Sequence, residues 1–215
     1  MTRRGANGMC DRIFLFLGDS VTDCSRKRAS RFQNDVAALG SGWVKLLHDD
    51  FVRRKDSIEL INRGYAGCRT AELMSQPDWW PEKLDDRVNM ITLMIGINDI
   101  WHPLKTGESP PLARVLAAFD QLLEVLMQRA DQVLVCEPVA LPVGEVSESW
   151  FEPLNALTVQ QQRICHQSGA RWLPLQATMS QVAEGRFQDY LYDGVHPTDL
   201  GHRFLAEQWL SVFDV

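Results

Sequence analysis

A single three-layer α/β/α domain built around a parallel sheet is the fold this sequence predicts. Three observations predict it. Apolar runs such as Ile13 to Leu17 are continuous rather than alternating, the pattern of strands covered on both faces. The runs stand far enough apart for a crossover helix, and the intervals carry apolar residues at helical period. No proline-rich linker, low-complexity tract or internal repeat divides the 215 residues, so one domain spans 1–215, with residues 1–11 read as a flexible tail.

Taken in chain order, Ile13 to Leu17 is the first strand, and Trp43 to Val52 follows a long loop as the first helix. Ile58 to Ile61 and Met90 to Ile95 are the second and third strands. Leu112 to Arg129 is a helix, because Leu112, Val115, Leu116, Phe119, Leu122, Leu123 and Leu126 fall on one face. Gln132 to Cys136 is the fourth strand, Phe151 to His166 a helix, and Arg171 to Pro174 a short fifth strand. The last helix runs from about Asp199 to Val212, with Thr198 as its N-cap and Pro197 setting the approach of the chain.

Composition narrows the function. Hydrophobic residues make up 45% and charged residues 23%, the balance of a globular domain rather than a disordered or fibrous chain. The apolar runs are far shorter than the ~20 residues needed to cross a bilayer, so no membrane partner is expected. The basic start Met1-Thr2-Arg3-Arg4 leads into no apolar signal segment, so a cytoplasmic location is expected. Five irregularly spaced cysteines include no C-x-x-C pair, which predicts free thiols and no metal site; no cofactor is expected either. A net charge of -6 argues against a nucleic-acid partner and favours a neutral or weakly polar small molecule.

Three motifs carry chemistry. Gly18-Asp19-Ser20 follows the first strand and offers a hydroxyl, although serine or aspartate there is commonly only a helix cap or turn former. A serine needs a base to become a nucleophile. Asp193-Gly194-Val195-His196 supplies one, with the carboxylate three residues from the imidazole that it can orient. His48, His166 and His202 lie within helical patterns, and His102 has no such partner. Asn98, in Gly96-Ile97-Asn98-Asp99, follows the third strand, where its amide can stabilise an oxyanion beside Ser20. Gly64, in Asn62-Arg63-Gly64-Tyr65-Ala66-Gly67, offers a backbone N–H, and Ser20's own N–H makes a third donor. In a parallel sheet the loops after the strands share one edge, so Ser20, Gly64 and Asn98 are expected to meet there.

On these residues the sequence resembles the SGNH hydrolases, also called GDSL esterases. Gly18-Asp19-Ser20, Gly64, Gly96-x-Asn98-Asp99 and Asp193-x-x-His196 match the family's blocks in order, from about Ile13 to Leu210, with Val21 where the nickname has leucine. Leu17 to Arg26, Met94 to Trp101 and His196 to His202 are similar to the intracellular acetylesterases that act on short xylan fragments. That resemblance implies a flavodoxin-like five-stranded sheet of order 2-1-3-4-5, acetyl groups on sugar hydroxyls as substrate, and a homo-oligomer as an open partner. Ser20, Asp193 and His196 are then catalytic, and Ser20, Gly64 and Asn98 form the oxyanion hole.

Asp19, Trp101, Trp79 and Trp80 are substrate-binding candidates, each tryptophan being equally suited to packing. Cys24 and Cys68, near the site with no assigned histidine, read as buried thiols. Asp23 and Arg26 either brace the Ser20 loop or form an exposed ion pair, whose loss would leave folding nearly unchanged. Two alternatives to a short-chain esterase stay open: a thioesterase, lysophospholipase or arylesterase of the same family, and a non-catalytic carbohydrate-binding protein on the same fold.

Overall fold

In the computed structural model, which describes residues 12–28, 35–81, 84 and 87–213, five strands run β1 (Arg12–Gly18), β2 (Ile58–Gly64), β3 (Val88–Met94), β4 (Ala130–Cys136) and β5 (Arg171–Leu173). They form one sheet of order β2-β1-β3-β4-β5, and every neighbouring pair is parallel. The tail assigned to residues 1–11 lies outside the described residues.

The apolar runs are continuous because both faces of the sheet are buried. Phe14 and Phe16 enter one core with Leu134 and Cys136, whereas Leu15 and Leu17 enter the other with Ile91, Leu93, Val133 and Val135. Successive side chains of a strand point to opposite faces, so each strand feeds both cores. The first core is closed by α2 (Trp43–Arg54) and α8 (Asp199–Phe213), which pack together through Leu47, Phe51, Leu205 and Trp209. The second is closed by α4 (Leu112–Arg129), whose Phe119, Leu122, Leu123 and Leu126 are fully buried, and by α5 (Phe151–Ser168) beside it.

The predicted helices form with small shifts at their ends. Four further helices carry no clear periodic signal: α1 (Ser20–Asp23), α3 (Ile97–Lys105), α6 (Gln176–Ala183) and α7 (Phe187–Tyr190). The first and last are single turns, too short for periodicity to register. Only Gly96, at φ +127°, and Ile95 separate the third strand from α3, and Pro103 sits inside the helix. At α8, Thr198 acts as expected: its hydroxyl accepts the Gly201 N–H at 3.2 Å.

Candidate active site

Four segments meet at the carboxyl edge of the sheet. After β1 the chain turns at Asp19, whose Oδ1 caps α1 by accepting the Val21 N–H at 3.0 Å. Ser20 is the first residue of that turn, and its own N–H has no partner among the described residues. Asp193 and His196 lie on the connection between α7 and α8. Gly194 there has φ +93°, and a Cβ would stand 2.5 Å from the Val143 carbonyl oxygen and 2.6 Å from that of Leu141. Only glycine fits.

The turn closes on its own carboxylate. Asp193 Oδ1 accepts the N–H groups of Val195 at 3.0 Å and His196 at 2.8 Å, which leaves Oδ2 to face His196 Nδ1 at 2.7 Å. His196 Nε2 is 2.9 Å from Ser20 Oγ. Burial alone would raise the Asp193 carboxyl. The His196 N–H and ring and the Val195 N–H outweigh it and hold the group below the usual carboxylate range, so it is ionised at neutral pH. Ser20 and His196 border a cleft of about 530 Å³, whose other walls are Asp23, Cys24, Ser25, Arg26, Arg28 and Ala66.

Asn98, the second residue of α3, is 4% exposed and donates one Nδ2–H to the Cys68 carbonyl at 3.0 Å. The other amide hydrogen is uncommitted among the described residues. Gly64 does not serve as expected. Its N–H is donated to Asn62 Oδ1 at 2.8 Å, and its α-carbon abuts α1, where a Cβ would stand 2.2 Å from Asp23 N. It is a close-packing glycine. Three residues on, Gly67 is exposed at φ +76°, its N–H has no partner among the described residues, and it adjoins both Ala66 in the cleft wall and Cys68 under Asn98. The signal for it lies in the same motif, where Asn62 is the residue type that bonds a backbone N–H two places on.

Three substrate-binding candidates are displaced. Asp19 is 1% exposed, so its carboxyl faces the interior and not the cleft. Trp79 and Trp80 pack on the second core beneath Arg129, whose guanidinium lies 5.4 and 4.7 Å from their ring centroids. Since Arg129 ends α4 and precedes the start of β4, those rings sit toward the opposite edge of the sheet. Trp101 is well placed, its ring centroid 5.4 Å from that of His196.

Arg26 is buried rather than an exposed partner. Its Nε donates to the Gly64 carbonyl at 2.8 Å, its guanidinium lies over the Tyr65 ring at 4.8 Å, and Asp78 stands 3.5 Å away. Asp23 accepts the Ala66 N–H at 3.1 Å and pairs with Arg28. Together they tie the Ser20 turn to the segment after β2, so loss of Arg26 would cost folding. Cys24 does have a histidine beside it, with His202 Nε2 3.1 Å from Sγ. Burial pushes the thiol up to about 11 and the imidazole down to about 4, so both are neutral at pH 7. Among the described residues no group of three or more His, Cys, Asp or Glu could hold a metal ion, and no helix is long and apolar enough to cross a membrane.

Two buried groups give opposite pH dependences of stability. Burial raises Asp19 from 3.8 to about 7, so its contribution is present in acid and lost as pH rises through 7. His202, lowered from 6.5 to about 4, contributes above pH 6.5 and loses that contribution as pH falls toward 4. Each is worth roughly 3 to 4 kcal/mol at most. Between about pH 4.5 and 6.5 they offset one another, so Asp19→Asn, which retains the capping oxygen, is expected to make stability fall on acidification. Urea unfolding across that range checks it; parallel wild-type and variant curves would refute the assignment.

A hydroxyl, an imidazole and a carboxylate bonded in series at the carboxyl edge of a parallel α/β sheet define an acyl hydrolase. The chain belongs to the GDSL-like lipase/acylhydrolase family, whose sequence model matches residues 16–204. It is therefore a carboxylic ester hydrolase. Among its relatives is an acetylxylan esterase of Geobacillus stearothermophilus, 24% identical over 203 residues and 91% of each chain. The solved structure of Axe2, an acetylxylan esterase from the same organism, superposes with a TM-score of 0.78 at 22% identity over 94% of each chain. A protein described as a GDSL-like lipase, from Parabacteroides merdae, does so at 0.82 and 25% identity, over 95% of this chain and 96% of its own.

Proposed function

We propose that the chain removes short acyl groups, acetyl foremost, from carbohydrate hydroxyls through an acyl-enzyme on Ser20. The observation that carries this reading is the continuous hydrogen-bonded series from Ser20 Oγ through His196 to Asp193. Ser20 Oγ attacks the ester carbonyl as His196 Nε2 takes its proton. The imidazolium, steadied by Asp193, returns that proton to the departing alcohol. Water, deprotonated by the same nitrogen, then releases the acid and frees Ser20. The oxyanion of each tetrahedral intermediate is met by the Ser20 N–H, the second amide hydrogen of Asn98 and the Gly67 N–H, the last in place of Gly64.

The cleft walls favour a short acyl group. Ser25 and Arg28, exposed at the cleft, are polar, and a long acyl chain needs an extended apolar groove. The acetylxylan esterase relatives suggest the sugar. Free thiols at Cys24, Cys68, Cys136 and Cys165 suit the reducing cytoplasm. The test is release of acetate from acetylated xylo-oligosaccharides, measured beside p-nitrophenyl acetate and p-nitrophenyl octanoate. The expected order is rapid deacetylation of the sugar, with the acetate ester preferred to the octanoate. Preference for octanoate would redirect the reading to lipids or thioesters, and sugar binding without turnover of any ester would leave a carbohydrate-binding protein.

A further inference from the structure

Trp101 is fixed from two directions. Its indole packs against the His196 imidazole and, at 5.7 Å between centroids, against Trp150. Its Nε1–H donates to Glu145 Oε2 at 3.1 Å, and Lys105 Nζ donates to both oxygens of that carboxylate, at 3.1 and 3.2 Å. Glu145 sits on the loop between β4 and α5. That loop also braces the Asp193 turn: the Leu141 N–H donates to the Gly194 carbonyl at 2.9 Å, and a Cβ on Gly144 would stand 2.9 Å from the Asp193 α-carbon. One loop thus touches both the turn that carries His196 and the indole beside His196.

We infer that Glu145 is a positioning residue for leaving-group recognition. By holding the Trp101 N–H it presents the indole as a preformed wall for the ring of the departing sugar. This rests on the esterase reading above, in which His196 protonates the leaving alcohol, so the departing group must lie on the imidazole's side, where the indole stands. An indole whose N–H bonded only to water would be free to turn about its side-chain torsions, and the substrate would bear the ordering. The carboxylate does that ordering beforehand. Nothing in the acyl-transfer steps themselves requires Glu145, so its effect should appear with the leaving group and not with the ester bond.

The experiment compares an acetylated xylo-oligosaccharide with ethyl acetate, whose leaving group is too short to span an indole face. Glu145→Ala is expected to raise KM for the sugar ester by about 3- to 10-fold, the range of one charge-assisted hydrogen bond at a partly exposed site, with kcat little changed. On ethyl acetate kcat/KM should move by less than about twofold. Glu145→Gln, which keeps an acceptor oxygen, should restore most of the loss. Trp101→Phe, which keeps a ring but not the N–H, should lose as much as Glu145→Ala, and the double variant no more than either. Glu145 is 54% exposed, so melting temperatures should stay close to wild type. An unmoved sugar KM, an equal loss on both esters, or additive losses would overturn the inference. Absence of Ser20-dependent turnover in the wild type would instead be a failure of the esterase reading.

Discussion

Ser20→Ala is expected to lower kcat on acetyl esters by about 10⁴- to 10⁶-fold while leaving the fold intact. The hydroxyl's partner is His196 Nε2, and Ser20 is only half-buried, so its removal opens no cavity and breaks no backbone contact. Alanine is also a good helix former for the first residue of α1. The proposed oxyanion donors are a backbone N–H, a side-chain amide and a second backbone N–H, all retained in the variant. Binding should therefore survive the loss of turnover. Steady-state rates with a melting curve decide the matter: residual kcat within about tenfold of wild type would remove Ser20 from the mechanism.

Asp193→Asn is expected to cost about 10⁴-fold in kcat, and the local hydrogen bonds say why. Oδ1 of Asp193 accepts two backbone N–H groups, so the amide oxygen of an asparagine is held at that position. Its NH₂ then faces His196 Nδ1. That nitrogen must accept, which puts the proton on Nε2, where it cannot take one from Ser20. The opposite amide orientation would aim two donors at the N–H groups of Val195 and His196, leaving donors facing donors with no acceptor between them. Either way the turn is left with the wrong tautomer or a broken loop. A loss below about tenfold in kcat would show that His196 is oriented by something other than Asp193.

Much of this site is legible in the sequence. Ser20, Asn98, Asp193 and His196 are each marked by a short motif, and the parallel topology that unites them follows from apolar runs whose alternate residues feed two cores. Burial is the part that short motifs do not convey. Arg26 near Asp23 reads equally as a brace of the Ser20 loop or a surface pair, and only the structure shows that it is 5% exposed and holds the Gly64 carbonyl from 38 residues away. Asp19 looks like a substrate contact because it adjoins Ser20, yet its carboxyl caps α1 and turns inward. Trp79 and Trp80 carry no positional signal of their own, and only the path of the chain between β2 and β3 puts them under Arg129.

The glycine proposed for the oxyanion hole shows the division most clearly. A glycine turn after the second strand is local information, and the motif from Asn62 to Gly67 contains it. Which of its two glycines keeps a free N–H depends on where Asn62 points. That side chain is anchored by Nδ2 bonds to the carbonyls of Thr22 at 2.6 Å and Leu39 at 2.8 Å, so Oδ1 is turned onto Gly64. The fold class, the roles of the strands and four side chains of the candidate site are written in short stretches of chain, because periodicity and turn chemistry act over a few residues. Which donors are free, which charges are buried and which tryptophan stands by His196 are settled by tertiary contacts alone, because each depends on atoms brought together from distant parts of the chain.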